Sequence, residues 1–549
     1  MKRIAIVCVI VSILVGCGKK PPPPAEVPYE PIVVHRTPPP SPPPPPLPPE
    51  YDDRGGNLQQ QQYPKAPWLP EYNTEEYSRI YENRFLLTTE QLLLTFSIDV
   101  DEASYSNVRR YIQKAKRPPR DAVRIEELIN YFNYDYPQPD GVHPFSVNTE
   151  VADCPWNPRH ELVLVGLQGA KIDQYNLPRS NFVFLIDVSG SMTHHKKLPL
   201  LKKALKLLVN HLRQEDRVAI VTYAGRARLV LPSTPGYRGE EIIRAIDRLQ
   251  ADGSTAGAAG IELAYQEAWD NFIEGGNNRV ILATDGDFNV GVSNTAELVR
   301  MIEEKRRTGI FLSVLGFGTG NLKDSRLEQL ADKGNGYYAY VDNDREAKRI
   351  MIREMNGTLH TIAKDVKIQI EFNPAHVKAY RLIGYENRIL DKREFNDDRR
   401  DAGDIGVGHS FTALYEIIPT SVNYFDPGTD PLRYQSQASL FENLYEDEIM
   451  MLKLRYKTPE QETSRLISTP VYISDLDYRH ASDNFKFAAA VAEFGMLLRD
   501  SKYRESSSFN HAMDLARESI GVDRDGYRRE FIELCRKCLS MDFASARRH

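Results

Sequence analysis

Two apolar runs in this chain end abruptly on clustered oxygen donors. Phe182-Val183-Phe184-Leu185-Ile186 leads into Asp187-Val188-Ser189-Gly190-Ser191, and Val280-Ile281-Leu282-Ala283 leads into Thr284-Asp285-Gly286-Asp287. Between them, Asp252-Gly253-Ser254-Thr255 stands just ahead of a helical pattern. The carboxylates of Asp187 and Asp285 with the hydroxyls of Ser189, Ser191 and Thr255 form a hard donor set. It suits Mg²⁺, or else Mn²⁺ or Ca²⁺, and not Zn²⁺, because neither Cys nor His takes part. The alternation of Asp187, Ser189 and Ser191 turns three oxygens to one side of a loop. Ser254 and Asp287 are expected to contact the ligands rather than the ion. A helix N-terminus beside the ion opposes it, so the carboxylates must supply the balancing charge.

For these loops to meet, the strands before them must lie side by side. Continuous apolar runs are what strands buried on both faces of a parallel sheet require. From 181 to about 360, strands at Phe182–Ile186, Val218–Val221, Val280–Ala283, Ile310–Leu315 and Tyr337–Val341 alternate with helices. The first helix carries Leu201, Ala204, Leu205, Leu208 and Leu212 on one stripe. The others are read at Glu240–Leu249, Ala256–Phe272, Ala296–Arg306, Ser325–Ala331 and Arg345–Met355. This alternation predicts a doubly wound, mostly parallel α/β sheet, with its site at the carboxyl ends of the strands.

The flanks have another rhythm. Ahead of the α/β unit, Thr95–Asp101 reads as a strand, Ser104–Lys114 as a helix, and Asp121 as the N-cap of a helix reaching Phe132. Phe145–Val151 and Glu161–Leu167 read as alternating strands. Asp99 and Asp101 share one strand face, but nothing nearby completes a metal site, so solvent or cap contacts are expected of them. Behind the α/β unit come amphipathic strands at Val366–Phe372, Ala379–Tyr385, Phe411–Ile418 and Met450–Tyr456, then helices over Phe485–Leu498 and Phe509–Leu539. The strands before 170 and after 363 are expected to pair into one β-sandwich with the α/β unit inserted.

The N-terminus reads as an address. Lys2 and Arg3 precede an apolar run, Ile4–Val15, too short to span a bilayer comfortably, which stops at Gly16-Cys17. Leu14-Val15-Gly16-Cys17 resembles the bacterial lipobox, which implies cleavage before Cys17 and its acylation. Gly18, not Asp, follows the Cys, and by the enteric sorting rule the outer membrane is expected, with the protein facing the periplasm or the surface. Residues 18–66 are rich in proline and poor in aliphatic side chains, so they cannot bury a core and favour polyproline II. At about 3.1 Å per residue, roughly fifty such residues form a stalk up to about 150 Å long. The expected plan is a signal peptide over 1–16, a lipidated linker over 17–66 and a mixed module over 67–175. An α/β domain over 176–362 and a β-rich, then helical, domain over 363–549 complete it.

Order, spacing and strand context make Asp187-x-Ser189-x-Ser191, with Thr255 and Asp285, resemble the metal-ion-dependent adhesion site of von Willebrand factor A (VWA) domains, which are Rossmann-like α/β folds. The resemblance implies that Ser189 and Ser191 coordinate the ion directly, and that Thr255 and the aspartates do so directly or through water. One coordination position is then left for a partner, commonly for a carboxylate. A narrower likeness rests on Phe96–Asp101, Val123–Glu127, Tyr131–Pro137, Gly253–Gly257, Ala402–His409 and Phe487–Tyr503. These are similar to a bacterial YfbK-like family that joins an N-terminal module, an A domain and a C-terminal domain of unknown function.

Other chemistry finds little support. Lys and Arg number 70 against 76 Asp and Glu, a net charge of −6 spread along the chain, so nucleic acid is not expected as a partner. The chain has no HExxH, GxSxG or Walker A sequence. Gly316-Phe317-Gly318-Thr319-Gly320 has the wrong spacing for a dinucleotide loop and reads as a tight turn, and His194 and His195 read as exposed loop residues. With Cys8 in the signal and Cys17 lipidated, Cys154, Cys535 and Cys538 remain, as one disulfide and a spare thiol or as reduced core residues. The expected function is non-enzymatic: capture of an unidentified protein at the cell envelope, through an Asp or Glu, in adhesion or complex assembly. A scaffold with a purely stabilising metal stays open, as does a metal-dependent hydrolase, although the latter lacks an evident base or second metal.

Overall fold

A computed structural model describes residues 75–173, 176–252, 258–286, 295–318, 323–354, 360–424 and 445–541. Cys17, Ser254, Thr255 and Asp287, with the signal and the proline-rich linker, lie outside the described residues. The first flank contains β1 (Leu86–Leu87), β2 (Leu93–Ser97), α1 (Ala103–Gln113), α2 (Ile125–Asn130), β3 (Phe145–Asp153) and β4 (Glu161–Gly169). Next come β5 (Ser180–Asp187), α3 (Leu198–Val209), β6 (Arg217–Tyr223), β7 (Ala227–Pro235), α4 (Gly239–Arg248) and α5 (Ala258–Asp270). The α/β region continues through β8 (Asn277–Thr284), α6 (Thr295–Arg306), β9 (Ile310–Phe317), α7 (Asp324–Lys333), β10 (Tyr338–Val341) and α8 (Asp344–Lys348), which runs on into a π-helical stretch, Arg349–Glu354. The second flank supplies β11 (Thr361–Phe372), β12 (Val377–Leu382), β13 (Ile389–Leu390), β14 (Gly403–Gly406), β15 (Ser410–Pro419), β16 (Glu448–Lys457) and β17 (Arg465–Tyr472). It ends in α9 (Asp483–Arg499), α10 (Phe509–Glu518) and α11 (Tyr527–Ser540).

The α/β sheet has the order β10-β9-β8-β5-β6-β7 and is parallel except for β7. Its central strands are apolar throughout because both faces are covered. In β5, Phe182, Phe184 and Ile186 pack toward α3 and α4, while Val183 and Leu185 pack with Ile261 and Ala264 of α5 and Leu327 of α7. This two-sided burial places the carboxyl ends of β5, β6 and β8 at one edge, where Asp187, Tyr223 and Asp285 emerge.

The flanks share two antiparallel sheets. One has the order β1-β12-β15-β4-β3, and the other runs β13-β2-β11-β16-β17 with β14 also on β11. Pairing of β2 with β11 and of β4 with β15 joins chain before the α/β region to chain after it, as expected of a sandwich around an insertion. Phe96, Val163, Val165, Ile368, Ile370 and Tyr415 fill the space between the sheets. The expectation that Glu161–Leu167 alternates apolar and polar residues is incorrect. Leu162 and Leu164 of β4 lie under the helices α2 and α9, and Val163, Val165 and Leu167 lie in the sandwich, so both faces demand apolar side chains.

The two crossings between sandwich and α/β region meet at one turn, in the 402–409 segment. Gly408 N donates to Ala170 O on the way in (3.0 Å) and Val407 N donates to His360 O on the way out (3.0 Å). Gly169 N donates to His409 O (2.8 Å). Gly408 has φ +67, a left-handed conformation that favours glycine.

Arginines of the flanks meet carboxylates of the α/β region across a wide buried face. Arg109 on α1 is fully buried and contacts Asp342, Glu346 (2.9 Å) and, from α11, Glu530 (3.1 Å). Arg124 contacts Asp324 (3.1 Å), Glu328 (2.9 Å) and its neighbour Glu127 (3.0 Å). Arg388 pairs with Asp99 (2.7 Å), Asp101 (3.2 Å) and Asp332 (3.0 Å), and Tyr338 N donates to Asp101 Oδ1 (2.8 Å). The solvent or cap contacts expected of Asp99 and Asp101 are therefore replaced by a partly buried ion-pair cluster, whose cation arrives from far along the chain.

Asp121 does not cap the following helix. It sits in a short 3₁₀ turn, Arg120–Ala122, and its Oδ1 accepts from Ile80 N (2.9 Å). Cys154, Cys535 and Cys538 are buried free thiols, which leaves the reduced-core reading of the two. The strands β1, β7, β13, β14 and β17 are additions to the sequence reading.

Candidate metal centre

The structure brings four of the five expected ligands to the carboxyl edge of the α/β sheet. Asp187 closes β5 and Asp285 follows β8 on the adjacent strand, where Ile186 lies beside Ala283. Both carboxylates are fully buried. Ser189 Oγ and Ser191 Oγ stand 2.9 Å apart; Ser189 is buried and Ser191 exposed, so the hydroxyl pair reaches from the interior to the surface. Asp187 Oδ1 accepts from Ser189 N (2.9 Å), which fixes the loop against its own carboxylate. Asp252 N donates to Val188 O (2.8 Å), which ties the segment ahead of Ser254 and Thr255 to the Asp187 loop.

Three further side chains belong to this site. Tyr223, at the carboxyl end of β6, donates its hydroxyl to Asp187 Oδ2 (3.3 Å), as does Thr284 (3.4 Å). Lys197, just ahead of α3, places its ammonium 2.7 Å from Asp285 Oδ2. Tyr223 and Thr284 could have been found by following every strand to its carboxyl end. Lys197 carries only a weak signal, the second of two lysines directly before an apolar helical stripe. His194 and His195 are exposed, with ring centroids 4.1 Å apart, as expected of loop histidines.

The electrostatics suit a cation. Burial pushes the Asp187 carboxyl up, hydrogen bonds from Ser189 pull it down, and the nearby Asp285 charge pushes it up again, leaving it above its ordinary range. Two buried carboxylates side by side destabilise one another unless positive charge is supplied. Among the described residues no three His, Cys, Asp or Glu side chains form a metal cluster. The oxygen set here fits a hard ion instead, through two carboxylates and two hydroxyls.

Sheet order, strand-end carboxylates and the paired serine hydroxyls define a von Willebrand factor type A domain, and a family model described as von Willebrand factor type A domain matches residues 181–353. A model described as von Willebrand factor matches 71–164, and one described as the C-terminal part of uncharacterized protein YfbK matches 357–541. The chain is 43% identical over 477 residues to uncharacterized protein YfbK of Escherichia coli (strain K12), spanning 86% of this chain and 82% of that relative. It belongs to the YfbK family of VWA-domain proteins. Among solved structures, it is similar to a von Willebrand factor type A protein from Catenulispora acidiphila, with 18% identity and a TM-score of 0.40 over 73% of this chain and 92% of the other. It is also similar to proximal thread matrix protein 1 of the mussel byssus with a zinc-occupied MIDAS motif, with 24% identity and a TM-score of 0.28 over 36% and 47% of the two chains.

Proposed function

We propose that this protein is an envelope lipoprotein whose VWA domain captures an acidic side chain of a protein partner through a divalent cation. Mg²⁺ is the favoured ion, with Mn²⁺ or Ca²⁺ as substitutes, and Asp187, Ser189, Ser191, Thr255 and Asp285 are the ligands. The observation that carries the reading is the graded donor set at the sheet edge: two buried carboxylates behind, and a hydroxyl pair leading out to an exposed serine.

When bound, the cation supplies a Lewis-acidic docking point for an oxygen anion. The chain's own residues then do the rest. Asp187 and Asp285 provide the negative charge that retains a dication, and the neutral hydroxyls add none, so no excess negative charge repels a further carboxylate. A partner carboxylate is thereby favoured at the outer face. Tyr223 and Thr284 hold Asp187 in place, and Ser189 N orients its other oxygen. A lipid on Cys17 and the proline-rich linker would hold this surface away from a membrane.

Pull-down from envelope extracts tests the reading. Capture should be lost in EDTA, return with Mg²⁺, and be absent for Asp187→Ala. Capture indifferent to chelation and to that substitution would overturn it in favour of a scaffold. Metal-dependent turnover of an ester or peptide would instead favour the hydrolase.

A further inference from the structure

Lys197 is placed with more care than a chance contact requires. Its ammonium lies 2.7 Å from Asp285 Oδ2, and its side chain is only 10% exposed. The stem passes over Gly318, where a Cβ would come within 2.3 Å of Lys197 Cε and 2.7 Å of its Cγ. Gly318 has φ +83, and its carbonyl accepts from the Tyr340 hydroxyl, which pins the residue just past β9. A glycine at the end of one strand thus opens the channel through which a lysine from another element reaches the carboxylate at the end of a third. The backbone on the lysine side is also fixed: Lys197 N donates to His194 O (2.8 Å), and Leu201 N donates to Lys197 O (2.9 Å).

We propose that Lys197 is a resident counter-cation of the metal centre, which neutralises Asp285 when no dication is present and thereby sets a ceiling on the site's affinity for one. This rests on the metal-binding reading above. Asp187 and Asp285 are both fully buried and each disfavours the charge of the other. Without Lys197, Asp187 and Asp285 would face each other with one ammonium fewer beside them, and a dication would relieve more of their repulsion. With Lys197 present, part of that relief has already been supplied, and an entering ion meets a positive charge beside one of its ligands. The site is therefore poised to release its ion when ambient divalent cation falls, rather than to hold it permanently.

The test compares the full chain with Lys197→Met, which keeps the length of the stem and removes the charge. Calorimetric titration with Mg²⁺ and with Mn²⁺ gives affinity, and thermal unfolding in EDTA and in excess Mn²⁺ gives the stability of each state. The substituted protein should bind the ion at least tenfold more tightly. It should melt lower than wild type in EDTA and regain most of the difference with Mn²⁺. If it folds only with metal, the Mn²⁺ concentration that half-folds it should lie below the wild-type dissociation constant. Equal or weaker binding, or failure to fold at any Mn²⁺ concentration, overturns the proposal while wild-type binding leaves the metal-centre reading intact. If neither protein binds an ion, the metal-centre reading itself falls, and this inference with it.

Discussion

The α/β region carries two acidic surfaces that use the same residue types to opposite ends. On the docking face, Asp324, Glu328, Asp332, Asp342 and Glu346 each meet a guanidinium from outside the domain. At the carboxyl edge of the sheet, Asp285 meets the Lys197 ammonium, and Asp187 accepts from the Ser189 backbone N–H and from the Tyr223 and Thr284 hydroxyls. Glu346 shows what saturation does: burial alone would raise its carboxyl, yet Arg349 and Arg109 outweigh that and hold it down at about 2. Asp187, equally buried, ends above its ordinary range. A carboxylate surrounded by arginines is a structural joint, and one left short of positive charge is a place for a mobile cation.

The comparison can be broken most forcefully at Arg109. Arg109→Met leaves Asp342 and Glu346 buried without that partner, and removing one member of a buried pair costs about 3–5 kcal/mol. Urea denaturation should show that loss, with cation affinity of the remaining folded protein unchanged. Asp187→Asn should do the reverse. Removing a supporting contact to a ligand costs about 10–100-fold in affinity, so loss of a ligand charge should exceed about 100-fold by calorimetry, while the melting temperature in EDTA moves less than for Arg109→Met.

Acid gives a third probe. Burial, then Arg213, depress the His360 imidazole to about 4 at the exit from the α/β region. A histidine depressed below its usual 6.5 stabilises the fold above pH 6.5, and that contribution is lost as pH falls toward 4, on the order of 2–3 kcal/mol. Glu346 remains ionised throughout this window. Asp99 and Asp404, raised by burial to about 7, act with the opposite sign, so the readout is the difference between wild type and His360→Gln. That difference should open between pH 6.5 and 4 and stay flat above. The smallest effect is expected at exposed Ser191: Ser191→Ala should weaken the cation by about tenfold and leave stability within about 0.5 kcal/mol.

Much of this organisation could be read in advance because buried parallel strands and strand-end donors leave local traces. The run before Asp187 is apolar at every position since two cores claim alternate residues, and the structure ends the strand on that aspartate. The two longest missed strands are both sheet edges. β7 contains Pro232 and Pro235 and β17 contains Pro470, residues that an edge accommodates but that read as loop in sequence. The pairing of Asp99 and Asp101 with Arg388 was not legible, because nothing near them in sequence announces a guanidinium almost 290 positions away. Lys197 was missed for a related reason: its meaning comes from Asp285, after β8, and from Gly318, just past β9, which leaves room for its stem.

The turn at 402–409 has a mechanical consequence. Chain entering the α/β region at Ala170 and leaving at His360 is bonded to the same few residues, Val407 and Gly408, beside the arginine-lined face. A pull applied at the metal edge would reach the sandwich through two neighbouring crossings and a broad ionic seam loaded together, rather than through one thread that could peel. The domain is mounted like a bracket with a wide foot, and tension applied at its sheet edge would be resisted in shear by the body that carries it.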